Sequence, residues 1–488
     1  MGEIKKQSIN NTFLSYIGAG LGFLIIYIQP HLISSSDIGL LRLLYSFSWM
    51  AAVVMPLGIG SITMRFFPKI KDETSRHHGF FSLIFLIASL GALLIGITLY
   101  LNKHFFESYY QKSPEFPSYF NEAIVFAYVL SLISAYSLYS SSLLKTSFTV
   151  FLTDIFTRVG QLVLVILYHY QLISKDILIF SYMGVFLIQL ILLIGYLVYH
   201  KSVSLKIDWS FFKTLPLKEI IFFGLLMMVT AFASLGIKFI DQLMVGHFFN
   251  ANMVGIYATS VMMCAIMEIP FNSLDRIAQP KIAHAWNVRD VAEVSKIYEM
   301  SSRYMFFIGG FLFCLLWASI DLIFMFLPAE YELGKIAFYI ISFSSLFNLL
   351  TGVNSSVILF SHKYFAASIF LFILIGVSFI ANNLLIAPFG ISGAAMATLI
   401  AIGTFNFLKY IYILIRFKMQ PFTKHTAYIF ISVLACVIPI LLLPSSLHAV
   451  VKSLIGFSIT VIVFSLMNIR YKTIEEVNKV FKRLKLLK

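Results

Sequence analysis

The stretch IGLLRLLYSFSWMAAVVMPLGIGSITMRFFPKI at residues 38–70 is echoed by VGIYATSVMMCAIMEIPFNSLDRIAQPKI at residues 254–282. Each stretch begins with an apolar–Gly–apolar triplet, has a proline inside its apolar run and ends in Pro-Lys-Ile. Gly39 and Gly255 lie 216 residues apart, and the two pairs of corresponding prolines lie 214 and 212 residues apart. This order and near-constant offset predict two homologous halves. In a membrane chain, two such halves are typical of a transporter whose substrate site lies where they meet.

The composition independently predicts an integral membrane protein. The 488 residues are 59% hydrophobic and only 12% charged, whereas a soluble domain has about 25% charged residues. The formal charge of +14 would suggest a nucleic-acid partner in a soluble chain, but the topology below explains it without one. The three cysteines lie in apolar runs, so they predict core packing, and neither a disulfide framework nor a metal site is expected.

Apolar runs between clusters of charge predict fourteen membrane-spanning helices, because a helix needs about 20 apolar residues to cross the hydrocarbon core. The predicted spans 1 to 7 are 11–33, 40–67, 79–101, 121–144, 148–170, 177–199 and 219–240. Spans 8 to 14 are 252–274, 303–327, 335–357, 364–387, 390–415, 426–444 and 448–468. The fold class is therefore an all-α polytopic membrane protein, with two six-helix lobes and two further C-terminal helices.

The distribution of lysines and arginines predicts the orientation. With a cytoplasmic N-terminus, 27 of them fall on cytoplasmic segments and five on outer segments, which is a strong positive-inside signal. Both termini are then cytoplasmic, and the two halves are related by a parallel repeat. The turn at His77 and His78 is predicted to be a solvated cytoplasmic loop.

The predicted domains follow from the repeat. They are an N-terminal lobe at 1–200, a cytoplasmic linker at 201–218, a C-terminal lobe at 219–415, spans 13 and 14 at 416–468 and a tail at 469–488. In the tail, Thr473 and Glu476 form a capping-box pattern, and Ile474, Val477, Phe481 and Leu484 share one face of a helix. This pattern predicts a helix lying on an anionic inner leaflet, and a solvated basic tail is the alternative.

Polar stripes at helical spacing predict faces that are turned to protein or water. Span 1 has Asn11, Ser15, Gly18, Gly22 and Gln29; span 4 has Ser134, Ser137 and Ser141; span 7 has Thr230, Ser234, Lys238, Asp241 and Gln242; span 10 has Ser344, Asn348, Thr351 and Ser355. Together the four stripes predict a hydrated central cavity. Close helix packing is the alternative for each one, and Gly18 and Gly22 also fit a small-xxx-small pattern.

The charges inside the spans are more informative, because an arginine or lysine at the bilayer centre costs about 2.5–3.5 kcal/mol on insertion scales. Arg42 lies one turn into span 2 with Tyr45 and Trp49 on the same side, a cation beside aromatic surface that suits a phosphate and sugar rings. The alternative is that Arg42 reaches outer headgroups while Trp49 packs in the interior. Lys409 is a further cation within a span.

Two pairs of charged residues and one single acid within the spans have structural as well as functional interpretations. Asp154 and Arg158 are four residues apart on span 5 and are expected to neutralise each other, and Lys238 and Asp241 form a similar couple on span 7. Glu268, two residues before Pro270, has no local partner in the sequence. It is therefore either a proton or cation site or the partner of a base on another helix.

These features resemble the multidrug/oligosaccharidyl-lipid/polysaccharide (MOP) exporter superfamily. Several segments are similar to its polysaccharide-transporter branch, the Wzx-type flippases. They are Ile38-Gly39-Leu40-Leu41-Arg42, the run Leu57-Gly58-Ile59-Gly60 leading to Arg65, Asp241 followed by Val254-Gly255-Ile256-Tyr257, and the run from Pro388 to Ala397 that joins spans 11 and 12.

The resemblance implies an alternating-access flippase in a bacterial cytoplasmic membrane. Such a protein moves a polyprenyl-pyrophosphate-linked oligosaccharide from the inner to the outer leaflet for surface polysaccharide biosynthesis. Its expected partners are this substrate, membrane lipids and other polysaccharide-assembly proteins, and a monomer is expected to function. The residues carried over are Arg42, Tyr45, Trp49, Arg158 and Lys238 for pyrophosphate and sugar. The resemblance implies no catalytic residue and no cofactor. It does imply coupling to H+ or Na+ at Asp241, Glu268 or Asp154.

Other classes fit the sequence less well. Drug exporters of the superfamily use an acidic residue in the first helix, and this chain has no Asp or Glu between Glu3 and Asp37. Lipid II flippases share the span count, but their arginine-rich pattern in the first two helices is not evident here. A polytopic glycosyltransferase or polymerase would need a sizeable outer loop with paired acids, and Glu107, Glu115 and Glu122 form no recognisable acid/base pair.

Overall fold

The structure is a computed structural model that describes residues 2–200, 203–363, 365–444 and 446–474. Every regular element within these ranges is helical. The all-α fold predicted from the sequence is confirmed. The chain divides into two compact units between Ala258 and Thr259. The lobes and linker predicted from the repeat stay a prediction, because they concern the halves of the repeat rather than this division.

The first unit contains twelve of the helices that the described residues form. They are α1 (Gly2–Leu32), α2 (Ser35–Val54), α3 (Ile59–Ile70), α4 (Phe80–Leu101), α5 (Lys103–Tyr109), α6 (Glu115–Ser118), α7 (Phe120–Ser142), α8 (Ser147–Phe151), α9 (Thr157–His169), α10 (Lys175–Tyr199), α11 (Trp209–Phe212) and α12 (Leu217–Phe248). A single π-turn, Leu152–Phe156, joins α8 to α9.

Helix α13 (Ala251–Cys264) crosses the division, and the remaining helices belong to the second unit. They are α14 (Glu268–Asn287), α15 (Val291–Met325), α16 (Lys335–Leu350), α17 (Asn354–Leu359), α18 (Phe365–Phe417), α19 (Lys424–Leu442) and α20 (Ala449–Tyr471). One core of this unit is formed mainly by α15, α16, α19 and α20 and includes Cys314 and Cys436. All three cysteines are buried, which confirms their predicted packing role.

Thirteen helical stretches of the described chain are long and apolar enough to cross a membrane. One of them, α18, has 53 residues, which corresponds to about 80 Å and exceeds twice the hydrocarbon thickness. It bends at Gly390, whose φ of 62° and ψ of −144° are open only to glycine. The predicted turn between spans 11 and 12 therefore lies at Gly390, and the described helices provide fourteen crossings.

Besides span 5 with its π-turn, three of the predicted spans are not continuous α-helices. Span 2 is interrupted between α2 and α3, where Leu57 and Gly58 have positive φ values after Pro56. Span 8 narrows to a 3₁₀ turn, Ala265–Met267, just before Pro270. Span 10 stops at Leu350 and resumes at Asn354. The apolar pattern continues through all three interruptions, so hydropathy alone does not reveal them.

The start of span 2 was also predicted too late. Helix α2 begins at Ser35, and Ser34 caps it: Ser34 Oγ accepts the Asp37 N–H at 3.1 Å and donates to the Asp37 carboxylate at 2.7 Å. Arg42 consequently lies two turns into the helix rather than one.

The two glycines of the repeat lie against each other. A Cβ built on Gly39 would lie 1.6 Å from the Ala251 carbonyl oxygen, and one built on Gly255 would lie 2.0 Å from the Ser35 carbonyl oxygen. Each glycine thus faces the carbonyl four residues before the other glycine. Asn252 Nδ2 also donates to Ser35 Oγ at 2.6 Å. The repeat therefore defines a reciprocal crossing of α2 and α13, which we call the glycine crossing.

The predicted solvated turn at His77 and His78 is instead packed. His77 is buried, and its Nδ1 accepts the Asp72 N–H at 3.2 Å. His78 Nδ1 lies 3.0 Å from Asp208 Oδ2, and the His78 ring stacks on Phe211 with 3.7 Å between centroids. We call this contact between the turn and α11 the linker clasp. The predicted amphipathic tail lies almost entirely outside the described residues, which end at Ile474.

Candidate functional site

The stripe on span 1 forms a slot for the guanidinium of Arg158. The Arg158 Nη1–H donates to the Gly18 carbonyl oxygen. A Cβ built on Gly22 would lie 3.3 Å from Arg158 Cζ, so the absence of a side chain there leaves room for the charged plane. Gly18 and Gly22, predicted to permit close helix contact, do so by admitting this cation. At the N-terminal end of the stripe, Asn11 Nδ2 donates to Thr146 Oγ1 at 2.7 Å.

The expected neutralisation of Arg158 by Asp154 is not realised. No ion pair within 4.0 Å joins the two side chains in the part of the chain that the structure describes, and Asp154 Oδ2 instead accepts the Ser15 hydroxyl at 2.9 Å. The π-turn at Leu152–Phe156 contains Asp154 and disrupts the i, i+4 geometry on which the pairing was predicted. Arg158 is therefore held by a neutral carbonyl and Asp154 by a neutral hydroxyl.

Arg42 and Arg158 both lie close enough to Tyr45 to act on its hydroxyl electrostatically. Arg42 acts in the same way on Tyr182 of α10. Arg42 is half-buried, and no carboxylate within salt-bridge distance of it lies among the described residues. Two guanidiniums, neither with a carboxylate at salt-bridge distance among the described residues, thus lie within electrostatic range of one tyrosine, an arrangement that attracts an anion.

Aromatic rings surround Tyr45 on several helices. The centroid of the Tyr45 ring lies 5.9 Å from Phe186, 6.0 Å from Phe239 and 6.2 Å from Trp49. The Trp49 indole N–H lies near the Tyr45 hydroxyl but makes no hydrogen bond of standard geometry. Flat apolar faces with one orphaned donor suit the faces and hydroxyls of sugar rings. We call Arg42, Arg158 and these aromatic side chains the arginine–aromatic site.

The two predicted site residues of α12, Lys238 and Asp241, differ in their exposure. Lys238 is exposed and precedes Phe239 of the arginine–aromatic site, whereas Asp241 is buried and accepts the Tyr257 hydroxyl at 3.0 Å. The couple predicted between Lys238 and Asp241 does not form an ion pair within the described ranges. Gln242, next to Asp241, accepts the Ser46 hydroxyl at 2.9 Å. Asp241 thus lies in a buried network, while Lys238 stays accessible to a ligand.

Glu268 belongs to the second unit, where it is exposed at the first position of α14 after the 3₁₀ turn. The structure therefore brings Arg42, Tyr45, Trp49 and Arg158 together in the first unit. Glu268 belongs to the second unit and is not part of that group. Their roles stay predictions. Sequence reasoning missed Tyr182 and Phe186, although their spacing of four residues on span 6 was a usable signal for one aromatic face.

The comparisons with known proteins concern the fold. No protein-family model and no curated protein sequence matches the chain. Among solved structures, the lipid II flippase MurJ in an inward closed conformation matches with a TM-score of 0.74 at 15% identity, covering 96% of this chain and 98% of that one. The chain therefore has the fold of this flippase structure.

Two further matches support that fold. A multidrug resistance MATE family transporter of the MOP superfamily, in its inward-facing conformation, matches with a TM-score of 0.60 at 13% identity, over 83% of this chain and 94% of that one. A MOP superfamily transporter from Pyrococcus furiosus matches with a TM-score of 0.58 at 13% identity, over 85% and 95%. At such identities the likeness concerns the fold alone, so substrate has to be argued from the site.

Proposed function

We propose that this protein is a flippase that moves a polyprenyl-pyrophosphate-linked oligosaccharide from the inner to the outer leaflet of a bacterial cytoplasmic membrane by alternating access. The observation that carries the proposal is that Arg42 and Arg158, neither paired with a described carboxylate, both lie within electrostatic range of Tyr45 and its surrounding rings. Guanidinium groups bind phosphate oxygens in a bidentate manner, and aromatic faces stack on sugars. One site thus offers groups for both parts of the headgroup.

Two other substrates known within the superfamily are alternatives. Drug export is disfavoured because span 1 has no acid, and its stripe is used to hold Arg158. Lipid II transport is favoured by the more complete match to the MurJ fold than to the MATE folds. An enzyme such as a glycosyltransferase is disfavoured because the matched structures are transporters and a flippase, and because Glu107 pairs with Lys103 and His104 rather than with a second acid.

The test uses purified protein in liposomes that contain a short-chain polyprenyl-pyrophosphate oligosaccharide. Flipping is read from the access of an added glycosidase to the sugar. We expect Arg42→Gln and Arg158→Gln each to lower the initial rate about 100-fold, because each removes a half-buried cation from an anionic headgroup. The control is Arg65→Gln, since Arg65 lies outside the site, where it pairs with Glu219 at 3.9 Å and covers the Phe223 ring. Unchanged rates in both site variants would contradict the proposal.

The substrate class is separated by competition. Polyprenyl-pyrophosphate oligosaccharide, the same glycan on a monophosphate, lipid II and ethidium are added in turn to the flipping assay. Strong competition by the pyrophosphate glycan and weak competition by the monophosphate form supports recognition of the pyrophosphate. Stronger competition by lipid II or by ethidium would assign the protein to the corresponding alternative.

A further inference from the structure

The stripe of span 10 is built around an interruption of the helix. Between Leu350 and Asn354 the chain turns through Gly352, which has a φ of 57°. The backbone groups freed by the turn are satisfied from α15: Ser302 Oγ donates to the Leu350 carbonyl at 2.6 Å, and Ser301 Oγ accepts the Val353 N–H at 3.2 Å. Interrupted helices inside a membrane are tolerated where such partners exist, and in transporters they frequently mark ion or substrate sites.

The side chain at the centre of this interruption is Lys409 of α18. Only 2% of the residue is exposed. Its Nζ donates to Asn354 Oδ1 at 2.8 Å and to Ser355 Oγ at 2.9 Å, and it lies 3.7 Å from the centroid of the Phe405 ring. Among the described residues, the direct neighbours of the ammonium are therefore neutral oxygens and a π-face.

The surroundings of Lys409 contain one acidic group. Asp275 of α14 acts on Lys409 electrostatically, but it forms no salt bridge with it in the described part of the chain, and its two oxygens accept from Ser356 at 2.7 Å and Gln279 at 2.8 Å. The groups that α16, α17 and α18 contribute are carboxamides and hydroxyls: Asn406 accepts from Thr351 and Asn354 and donates to Asn348. The lysine charge is balanced only at a distance.

One partner of Lys409 reaches the surface. Ser355 is exposed, whereas Asn354 on the other side of the ammonium is buried. A hydroxyl both accepts and donates, so Ser355 Oγ connects the buried nitrogen to the exterior of the unit in one step. Ser355 was the last member of the stripe that the sequence predicted to face water.

We propose that Lys409 is a proton-binding site that couples proton movement to rearrangement of the interrupted helix. The proton leaves Nζ through the Ser355 hydroxyl to bulk water as hydronium, and the amine keeps its lone pair. Because none of the described carboxylates pairs with it directly, the charged and neutral forms of this amine lie closer in free energy than those of a lysine in an ion pair. Loss of the charge weakens the bonds to Asn354 and Ser355, which hold the start of α17 against α18. The role in transport rests on the proposed function, whereas proton binding itself does not.

Proton binding is tested without substrate. The melting temperatures of the wild type and of Lys409→Met are measured in detergent between about pH 6 and pH 9, a range in which a solvent-exposed lysine stays charged. We expect the difference between the two to change by about 2 °C or more across this range. The control is Lys452→Met, which removes a lysine that Asp321 pairs at 3.0 Å, so its difference from the wild type should stay constant. A constant difference for Lys409→Met as well would overturn the proposal.

A second variant keeps the test decisive if Lys409→Met does not fold. Asn354→Asp is nearly isosteric and places a carboxylate 2.8 Å from the ammonium, which fixes the charge. Its difference from the wild type should therefore change over the same pH range, and a constant difference counts against the proposal. In liposomes with an imposed pH gradient, Asn354→Asp should lose the stimulation of flipping that the wild type shows. Stimulation equal to that of the wild type would overturn the coupling role. If the wild type flips no glycan under any gradient, the proposed function is contradicted. The melting result still decides proton binding in that case.

Discussion

In the first copy of the repeat, Gly39 is followed after three, six and ten residues by Arg42, Tyr45 and Trp49. At the same distances after Gly255, the second copy has Ala258, Val261 and Ala265. Both copies contribute equally to the glycine crossing, since each glycine meets the carbonyl four residues before the other. The duplicated residues therefore determine how the helices cross, while the residues that we propose to bind a headgroup lie on one copy alone.

The helix interruptions in the two copies show the same contrast: their positions correspond, but their side chains differ. The first copy breaks at Pro56 into two helices, and the second forms a 3₁₀ turn that ends three residues before its corresponding Pro270. A proline removes one backbone donor and crowds the preceding turn, so both copies are weakened at equivalent positions. The second copy places an acid, Glu268, at its turn, and the first copy has apolar residues there. The corresponding backbone positions thus support the proposed anion site in one copy and an acidic position in the other.

The largest expected effect is at the shared part of the repeat. Gly39→Ala or Gly255→Ala places a methyl group within 2.0 Å of a carbonyl oxygen, which the helices can accommodate only by moving apart. We expect each variant to lose about 3 kcal/mol or more of stability, measured as a large fall in melting temperature and in monodisperse yield. Gly184→Ala is the matched control, because a Cβ on Gly184 would meet no atom within 4 Å. If only one of the two crossing variants is destabilised, the crossing is not reciprocal in the folded protein.

Sequence reasoning reached the span count and the repeat because both rest on apolar run length and on local residue spacing. It failed where partners come from other helices. Pro56-Leu57-Gly58 was a usable turn signal within span 2, since proline and glycine interrupt regular structure. Nothing near Arg158 in the sequence indicated that its guanidinium lies against Gly18, because the two residues are 140 positions apart.

Lys409 was recognised as a cation within a span, but no role could be assigned to it. Its partners Asn354 and Ser355 lie on a separate helix, and their amide and hydroxyl groups are too common in the sequence to indicate a site. Similarly, the π-turn that separates Asp154 from Arg158 has no signature in the residues 152–156. The unpredictable features are thus those that depend on how one helix is rotated against another.

A smaller effect is expected for Gly22→Ala. This variant tests whether substrate binding at the arginine–aromatic site depends on the slot that span 1 provides for Arg158. The added methyl would lie 3.3 Å from Arg158 Cζ, tight enough to displace the guanidinium by a few tenths of an ångström. We expect a five- to tenfold rise, roughly 1 kcal/mol, in the substrate concentration that half-saturates flipping. Gly20→Ala, two residues away and with no atom within 4 Å of the new Cβ, should behave as the wild type. Equal behaviour of the two variants would remove Arg158 from the site.

The acid of the second copy is tested by Glu268→Gln. If Glu268 contributes to ion coupling, the neutral isostere should lower gradient-driven flipping a few-fold, while flipping down a substrate gradient changes less. The variant and the wild type are compared across a pH series and with Na+ replaced by K+. Identical rates under all of these conditions would exclude the coupling role and leave Asp241, Asp154 and Lys409 as the remaining groups to examine.

The smallest expected effect concerns the segments that follow the two copies. After the first copy, the turn at His78 contacts Asp208, which caps α11 in the later linker, and hydrogen bonds from Ser210, His78 and the Phe211 N–H lower the pKa of Asp208 to about 2. A carboxyl group whose pKa is lowered on folding stabilises the folded state above its ordinary value of about 3.9 and loses that effect as the pH falls toward 2. The linker clasp should therefore be intact at neutral pH and weaken only in acid.

Asp208→Asn keeps the helix cap but removes the charge that faces His78. We expect trypsin to cleave the linker after Lys206 and Lys213 a few-fold faster at pH 8, because α11 is held less firmly against the turn. After the second copy, Asp290 caps α15 by accepting the Glu293 N–H at 2.9 Å, so Asp290→Asn is the control that changes a cap of the same kind without a clasp. An equal increase in both variants would attribute the effect to capping. An increase confined to Asp208→Asn would show that the segments after the two copies differ in their side chains rather than in their backbone. Arg42 and Ala258, at corresponding positions of the copies, differ in the same way.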